Sequence, residues 1–313
     1  MKMITRQIPL MLFLLLSSLA SLAAQAPGGQ PQQPEFIRQG PHLLREGKLE
    51  EALALYRQTI ERSPDSLDAK FAAGNVLDLM GRGKEARKYF QMAIDAANAD
   101  DRKAAAERAM AMSYAFEGNC KETVHHEQAV ISYYRLTYNV FQQGEIATEA
   151  ARVCIESGDL DAAYKWYKTG HDTGLTEINM KPARKDLWEF RWEHAQARIA
   201  ARRGNKEEAS KRVAAAQAIL DKGTIPEQAI FFPYLKGYVA FYGGDYKAAL
   251  EELQKANQND PFIQCLIAQT EEKLGNNEEA LNYYRKAAAA ISHNPPAAFA
   301  VPFAKKKLAQ LSH

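Results

Sequence analysis

Glycine recurs along this chain at Gly47, Gly81, Gly118, Gly158, Gly204, Gly244 and Gly275, each time in the same local frame. Seven residues before each stands a small residue: Gly40, Gly74, Ala111, Ala151, Ala197, Gly237 and Ala268. Five residues after each stands Ala52, Ala86, Thr123, Ala163, Ala209, Ala249 or Ala280. A register repeated at a period of roughly 20–50 residues is the signature of stacked supersecondary units, which bury a continuous core only by packing on their neighbours. Such arrays usually present surfaces for holding other molecules rather than a built-in catalytic pocket.

The frame has a physical reading. A glycine just past the last helical turn adopts the left-handed conformation that ends a helix at little cost. Asn119, Asp159, Asn205, Asp245 and Asn276 follow directly and suit the N-cap of a second helix. Glu50–Glu51, Glu207–Glu208 and Glu278–Glu279 then favour the positive end of that helix. Each unit is therefore predicted as helix, tight turn, helix, with the small residues where the two antiparallel helices cross. Tyr56, Phe90, Tyr167, Val213, Leu253 and Tyr284 supply an apolar side chain nine residues after the glycine, and Pro64 and Pro261 can end the second helix.

On these residues the chain resembles the tetratricopeptide repeat family, most clearly at Gly74–Ala86–Phe90–Ala93 and Gly237–Ala249–Ala256–Pro261. The first two glycines are also 34 residues apart, the family's period. The resemblance implies an all-α, right-handed superhelical solenoid of about seven units over 35–294. The units fall near 33–66, 67–100, 104–137, 144–177, 190–223, 230–260 and 261–294. Unit three is degenerate, with Thr123 and Glu127 in place of alanine and an aromatic. Wider glycine spacings around units four and five call for longer helices or ordered connectors, and Pro41 interrupts the first helix of unit one. Residues 297–313 read as a C-terminal capping helix starting near Val301 or Pro302, with Lys305, Lys306 and Lys307 on its solvated face.

Lys2 and Arg6 precede an apolar run at 10–16 and then small residues through Ala26. That is a secretory signal peptide pattern, assigned to 1–24 with cleavage after Ala23, Ala24 or Ala26 and a flexible leader at 25–34. The apolar run is shorter than the ~20 residues a spanning helix needs, and no cysteine lies nearby to carry a lipoprotein anchor. The chain is expected to be exported, to the periplasm or secreted, with no stable membrane insertion after cleavage. Without Lys2 and Arg6 the chain holds 38 basic and 38 acidic residues, so no global excess of positive charge favours nucleic acid. Three cysteines in an exported chain leave one unpaired; Cys120 and Cys154, at the same end of neighbouring hairpins, form a candidate disulfide.

The family resemblance places the first helices on the concave face. Positions 13, 10, 6, 3 and 2 before each glycine should then point inward. In unit five these are Arg191, His194, Arg198, Ala201 and Arg202; in unit six, Phe231, Tyr234, Tyr238, Phe241 and Tyr242. Arginine and tyrosine are enriched at binding hot spots. Arg191, His194, Arg198, Arg202, Tyr234, Tyr238, Phe241 and Tyr242 are therefore the candidate surface for a protein or peptide with acidic and apolar side chains. Unit four adds Glu145, Thr148, Arg152 and Glu156, and unit two adds Asp68, Phe71, Asn75 and Asp78. The family's C-terminal carboxylate clamp has no counterpart, since Ile37 and Pro41 hold its places. No catalytic constellation, metal site or cofactor motif is recognisable: His125, His126 and Glu122 lack a third converging ligand. The expected activity is a non-catalytic scaffold or adaptor. The rival reading is a small-ligand or catalytic pocket around Trp188, Arg191, His194 and Tyr234.

Overall fold

The computed structural model describes residues 34–311, so the signal-peptide assignment and almost all of the leader lie outside the described residues. Fifteen α-helices and one 3₁₀ turn make up the secondary structure among the described residues. They run as seven pairs: α1 (Glu35–Arg45) with α2 (Leu49–Arg62), α3 (Leu67–Leu79) with α4 (Gly83–Ala96), and α5 (Asp100–Phe116) with α6 (Cys120–Leu136). Then come α7 (Val140–Ser157) with α8 (Leu160–Gly174), and α9 (Pro182–Arg202) with α10 (Lys206–Leu220). The last pairs are α11 (Phe232–Gly243) with α12 (Tyr246–Lys255) and α13 (Pro261–Leu274) with α14 (Asn277–Ala288), followed by α15 (Pro295–Leu311). This is the all-α solenoid the register implied.

All seven register glycines sit in the turn between the helices of a pair with positive φ, from +67° at Gly118 to +93° at Gly158. Asn119, Asp159, Asn205 and Asp245 cap the following helices, each side chain accepting from the backbone N–H three residues on. Asn276 does not cap; its amide donates to Glu271 at 2.7 Å. The small residues mark the crossings. A methyl at Gly74 would lie 2.5 Å from the Phe90 ring, and one at Gly237 would lie 2.6 Å from Leu253. In degenerate unit three a hydrogen bond takes this place, Thr123 Oγ1 donating to the Ala111 carbonyl at 3.1 Å.

The excess length around units four and five goes into the helices. α7 has 18 residues and α9 has 21, and only 175–181 connect α8 to α9. Residues 170–174 continue α8, and Pro182 opens α9 at its first turn. The indole of Trp188, almost wholly buried, lies over Gly144 and Gly174, where any side chain would collide with it. α1 runs through Pro41.

The final helix departs most from expectation. It begins at Pro295 and carries Pro302 within it. It also does more than cover α13 and α14. Ala297, Ala298 and Val301 pack with Leu79, Met112, Ala115, Phe116 and Val153 of α3, α5 and α7. Its other side, Ala300 and Ala304 with Phe299, Phe303 and Leu308, packs with Cys265, Ala268, Tyr284 and Ala287. A helix apolar on both sides is a buried helix, and its alanines let it pass close to five neighbours. The lysines are not merely solvated. Lys305 donates to the Leu79 carbonyl at 2.5 Å, at the C-terminal end of α3, and Lys307 pairs with Glu272 at 2.8 Å. Ahead of α15, His293 inserts between the rings of Phe90 and Phe116 and meets Asp78 through Nε2 at 2.9 Å. Asp78 also accepts from Ser113 at 2.8 Å. Asp78, expected on an open inner stripe, is thus buried between α5 and the chain's own C-terminal segment.

Candidate functional site

The inward register of units four, five and six builds a set of cross-helix rungs. Thirteen residues before the glycine, Glu145 on α7 pairs with Arg191 on α9. Two residues before it, Glu156 on α7, Arg202 on α9 and Tyr242 on α11 meet, with Arg202 Nη1 3.1 Å from Glu156 and 3.3 Å from the Tyr242 hydroxyl. Tyr238 closes this group by donating to Glu156 at 3.1 Å. Burial raises the Glu156 carboxyl above its ordinary range while Arg202 and Arg198 oppose the shift. Burial also lifts the phenols of Tyr238 and Tyr242, the latter to about 12, so both remain donors. A carboxylate with two phenols and a guanidinium is a satisfied structural network.

The rung six residues before the glycine differs. It sets Arg152 on α7 beside Arg198 on α9. Arg198, 5% exposed, donates to the Tyr167 hydroxyl at 2.7 Å and lies near the Tyr234 and Tyr238 rings, but its Nε has no partner. Arg152 forms no ion pair with any described residue. On the rung above, the Nε2 of His194 is buried without a partner. Burial, followed by the charges of Arg198 and Arg152, holds this imidazole well below its ordinary range, so it is neutral at pH 7.

These groups line a cavity of about 240 Å³ between α7, α9, the 3₁₀ turn Pro226–Phe231, α11 and the start of α13. Phe190, Tyr234, Phe262 and Ile263 form its apolar wall. Ile230 and Phe231, 64% and 47% exposed, stand at its edge. Asp260 also lines it, with its carboxylate committed to the backbone N–H groups of Phe262 and Ile263.

The eight sequence-predicted residues therefore separate. Arg191, His194, Arg198 and Tyr234 line the cavity; Arg202, Tyr238 and Tyr242 belong to the Glu156 network; Phe241 packs among the apolar residues of α11–α13. Tyr238 is completely buried and offers no surface. Trp188, included in the rival pocket, is core beside the cavity and does not line it. Ile230, Gln228, Asn257 and Phe262 were missed. Ile230 and Gln228 come from the 3₁₀ turn and Asn257 from the α12–α13 connection, outside the helical stripe, whereas Phe262 lies in α13 thirteen residues before Gly275, on the stripe itself. Cys120 and Cys154 are disulfide-bonded across α6 and α7, with Cα atoms 4.8 Å apart, and Cys265 is a buried thiol.

A second cavity, of about 450 Å³, lies beside His293 and Asn294 and is lined by Phe71, Asn75, Arg108, Tyr133, Tyr134 and Glu149. Its strongest charges are paired with each other, Arg108 gripping Glu149 with two hydrogen bonds. His126 bonds to Glu107 at 2.7 Å. Among the described residues no cluster of three or more histidines, cysteines or carboxylates is arranged around a metal position, and no helix is long and apolar enough to cross a membrane.

A tetratricopeptide repeat family model matches residues 37–101 and 234–295, the stretches where the sequence register is most regular. No curated protein matches significantly. Among solved structures, a tetratricopeptide repeat protein from Parabacteroides merdae is similar at 13% identity and a TM-score of 0.47, over 89% of this chain and 98% of that one. Rap protein complexed with competence and sporulation factor is similar at 15% identity and a TM-score of 0.49, over 88% and 75%. The hetero-tetramer Cut9–Hcn1 is similar at 14% identity and a TM-score of 0.41, over 86% and 48%. Residues 37–101 and 234–295 thus match tetratricopeptide repeats, and the same helix pair is built throughout the described residues.

Proposed function

We propose that this protein is a non-catalytic scaffold or adaptor, exported from the cytoplasm, that holds a protein or peptide partner in the groove between α7, α9, α11 and α13. One observation carries the reading: Ile230 and Phe231 stand exposed at the edge of a cavity on the first-helix face. Large apolar side chains beside a cavity mark interaction sites. The rest of that face is less available, because α15 and His293 cover parts of α3, α5 and α7. Tetratricopeptide repeat proteins commonly bind protein partners, and the similar Rap structure holds a competence and sporulation factor. The basic start, apolar run and small residues of the N-terminus support export, as does a bonded Cys120–Cys154 pair, which suits an oxidising compartment.

The test is affinity capture from the native envelope or secreted fraction, comparing the parent with an Ile230→Ser, Phe231→Ser double variant. Both residues are exposed, so the variant should melt like the parent. The proposal expects a discrete partner that the variant loses. An unchanged partner set with the variant would place binding elsewhere and overturn the groove.

A further inference from the structure

The rungs joining α7 to α9 alternate in chemistry. Glu145 faces Arg191 and Glu156 faces Arg202, each a carboxylate against a guanidinium at equivalent register positions. Between them Arg152 and Arg198 bring two guanidinium groups to one cavity with no carboxylate of their own. Glu156 is felt by both through space, but its hydrogen bonds go to Arg202 and Tyr238. Counting the charged groups around the cavity and its neck, Arg152, Arg191, Arg198 and Arg202 stand against Glu145, Glu156 and Asp260. One positive charge is left over, and neither Arg152 nor Arg198 forms an ion pair with a described residue.

The hydrogen-bonding inventory agrees with the charge. Arg198 Nε and His194 Nε2 are buried at this cavity without partners. Buried polar groups are normally satisfied, so the Nε–H of Arg198, which can only donate, marks the place of an absent acceptor. An anion there would receive charge-assisted hydrogen bonds from the arginines. The opposite wall, Tyr234, Phe262, Ile263 and Phe231, is apolar. A single surplus charge matches a monoanion rather than a phosphate dianion.

We infer that this cavity is a binding site for a carboxylate carried on a short apolar body, seated between Arg152 and Arg198 with its apolar part against Tyr234 and Phe262. The carboxylate comes either from a free small acid or from a peptide. The inference rests on the groove reading above and names the chemistry that the groove selects.

The test uses the full mature chain and isothermal titration with defined probes: 3-phenylpropionate, its neutral amide, inorganic phosphate, and an N-acetylated Ala-Ala-Phe peptide as free acid and as C-terminal amide. The parent should bind at least one acid tenfold or more tighter than the matching amide. Arg152→Gln should abolish that preference, whereas Lys211→Gln on the outer helix α10 should keep it. Without any ligand, Arg152→Gln should leave the melting temperature unchanged or raise it, because it removes one of two like charges that line the same cavity. Tighter binding of the acid peptide than of 3-phenylpropionate assigns the site to peptides; the reverse assigns it to small acids. Equal binding of acids and amides, stronger binding of phosphate, or a lowered melting temperature for Arg152→Gln overturns the inference. Should no probe bind while partner capture still depends on Ile230 and Phe231, the carboxylate chemistry fails and the scaffold reading stands.

Discussion

Replacing Glu127 by glutamine should change how the stability of this protein depends on pH. Glu127 occupies the place in unit three where the other units carry an apolar side chain, and it is completely buried. As a carboxylate it receives no hydrogen bond from any described residue. The nearby guanidinium of Arg108 is engaged by Glu149, through Nε at 2.9 Å and through Nη2. Burial first, and the negative charge of Glu149 second, push the Glu127 carboxyl well above the ordinary 4.5. As a carboxylic acid it can donate to Glu149 instead.

The sign follows. The folded state holds this proton more tightly than the unfolded chain does. The stability tied to Glu127 is therefore fully present below pH 4.5 and is lost as the pH rises toward and through the elevated folded value. One proton changes stability by at most ~1.4 kcal/mol per pH unit. Glutamine keeps the shape, supplies an N–H donor to Glu149 and cannot ionise. Below pH 4.5 the variant should match the parent within about 1 kcal/mol, the usual worth of one hydrogen bond. Above it the variant should gain on the parent with a slope approaching ~1.4 kcal/mol per unit. Urea unfolding of both proteins at half-unit intervals from pH 4 to 7.5, with the disulfide intact, measures this difference. A constant gap across the range, or a parent that gains on the variant as pH rises, would refute the reasoning.

Other parts of the fold give equally specific expectations. Tyr138 holds φ +55° while 89% exposed, so Tyr138→Asn should raise stability by about 0.5–1 kcal/mol in thermal unfolding; a loss would deny the strain. Gly174→Ala puts a methyl into the Trp188 indole and should cost ~1–3 kcal/mol, although alanine is the better helix former. Reducing the Cys120–Cys154 bond, which closes a separation of 34 residues, should cost ~3–4 kcal/mol, and an unchanged melting temperature in reductant would count against the bond. Ending the chain before Pro295 should expose Leu79, Met112, Phe116, Val153 and Tyr284, lowering the melting temperature and increasing hydrophobic dye binding.

The repeat itself was legible because its determinants are local. A turn glycine, a capping side chain and a small residue opposite a large one act within one hairpin, as Gly158, Asp159 and the Gly74–Phe90 contact illustrate. The route of α15 was not legible. The contacts that fix it, His293 to Asp78 and Lys305 to Leu79, span 215 and 226 residues, beyond any periodic signal. The inner stripe was half legible. Its register put Arg191, His194, Arg198 and Tyr234 on one stripe, and these line one cavity, but it showed neither the burial of Tyr238 nor the part that Gln228 and Ile230 of the 3₁₀ turn play at the rim. The ion pairs were visible in principle, since Glu145 and Glu156 occupy the register positions of Arg191 and Arg202 one unit later. The same comparison sets Arg152 against Arg198, the one mismatched rung.

Site-specific photo-cross-linking in the native compartment tests the central claim most directly. A photoreactive phenylalanine would be placed at position 230, at the cavity edge, and in parallel at position 211 on the outer face of α10. The account predicts a discrete adduct from position 230, lost when Phe231→Ser is added and absent from position 211. Adducts from position 211 alone, or adducts from 230 indifferent to Phe231, would contradict it.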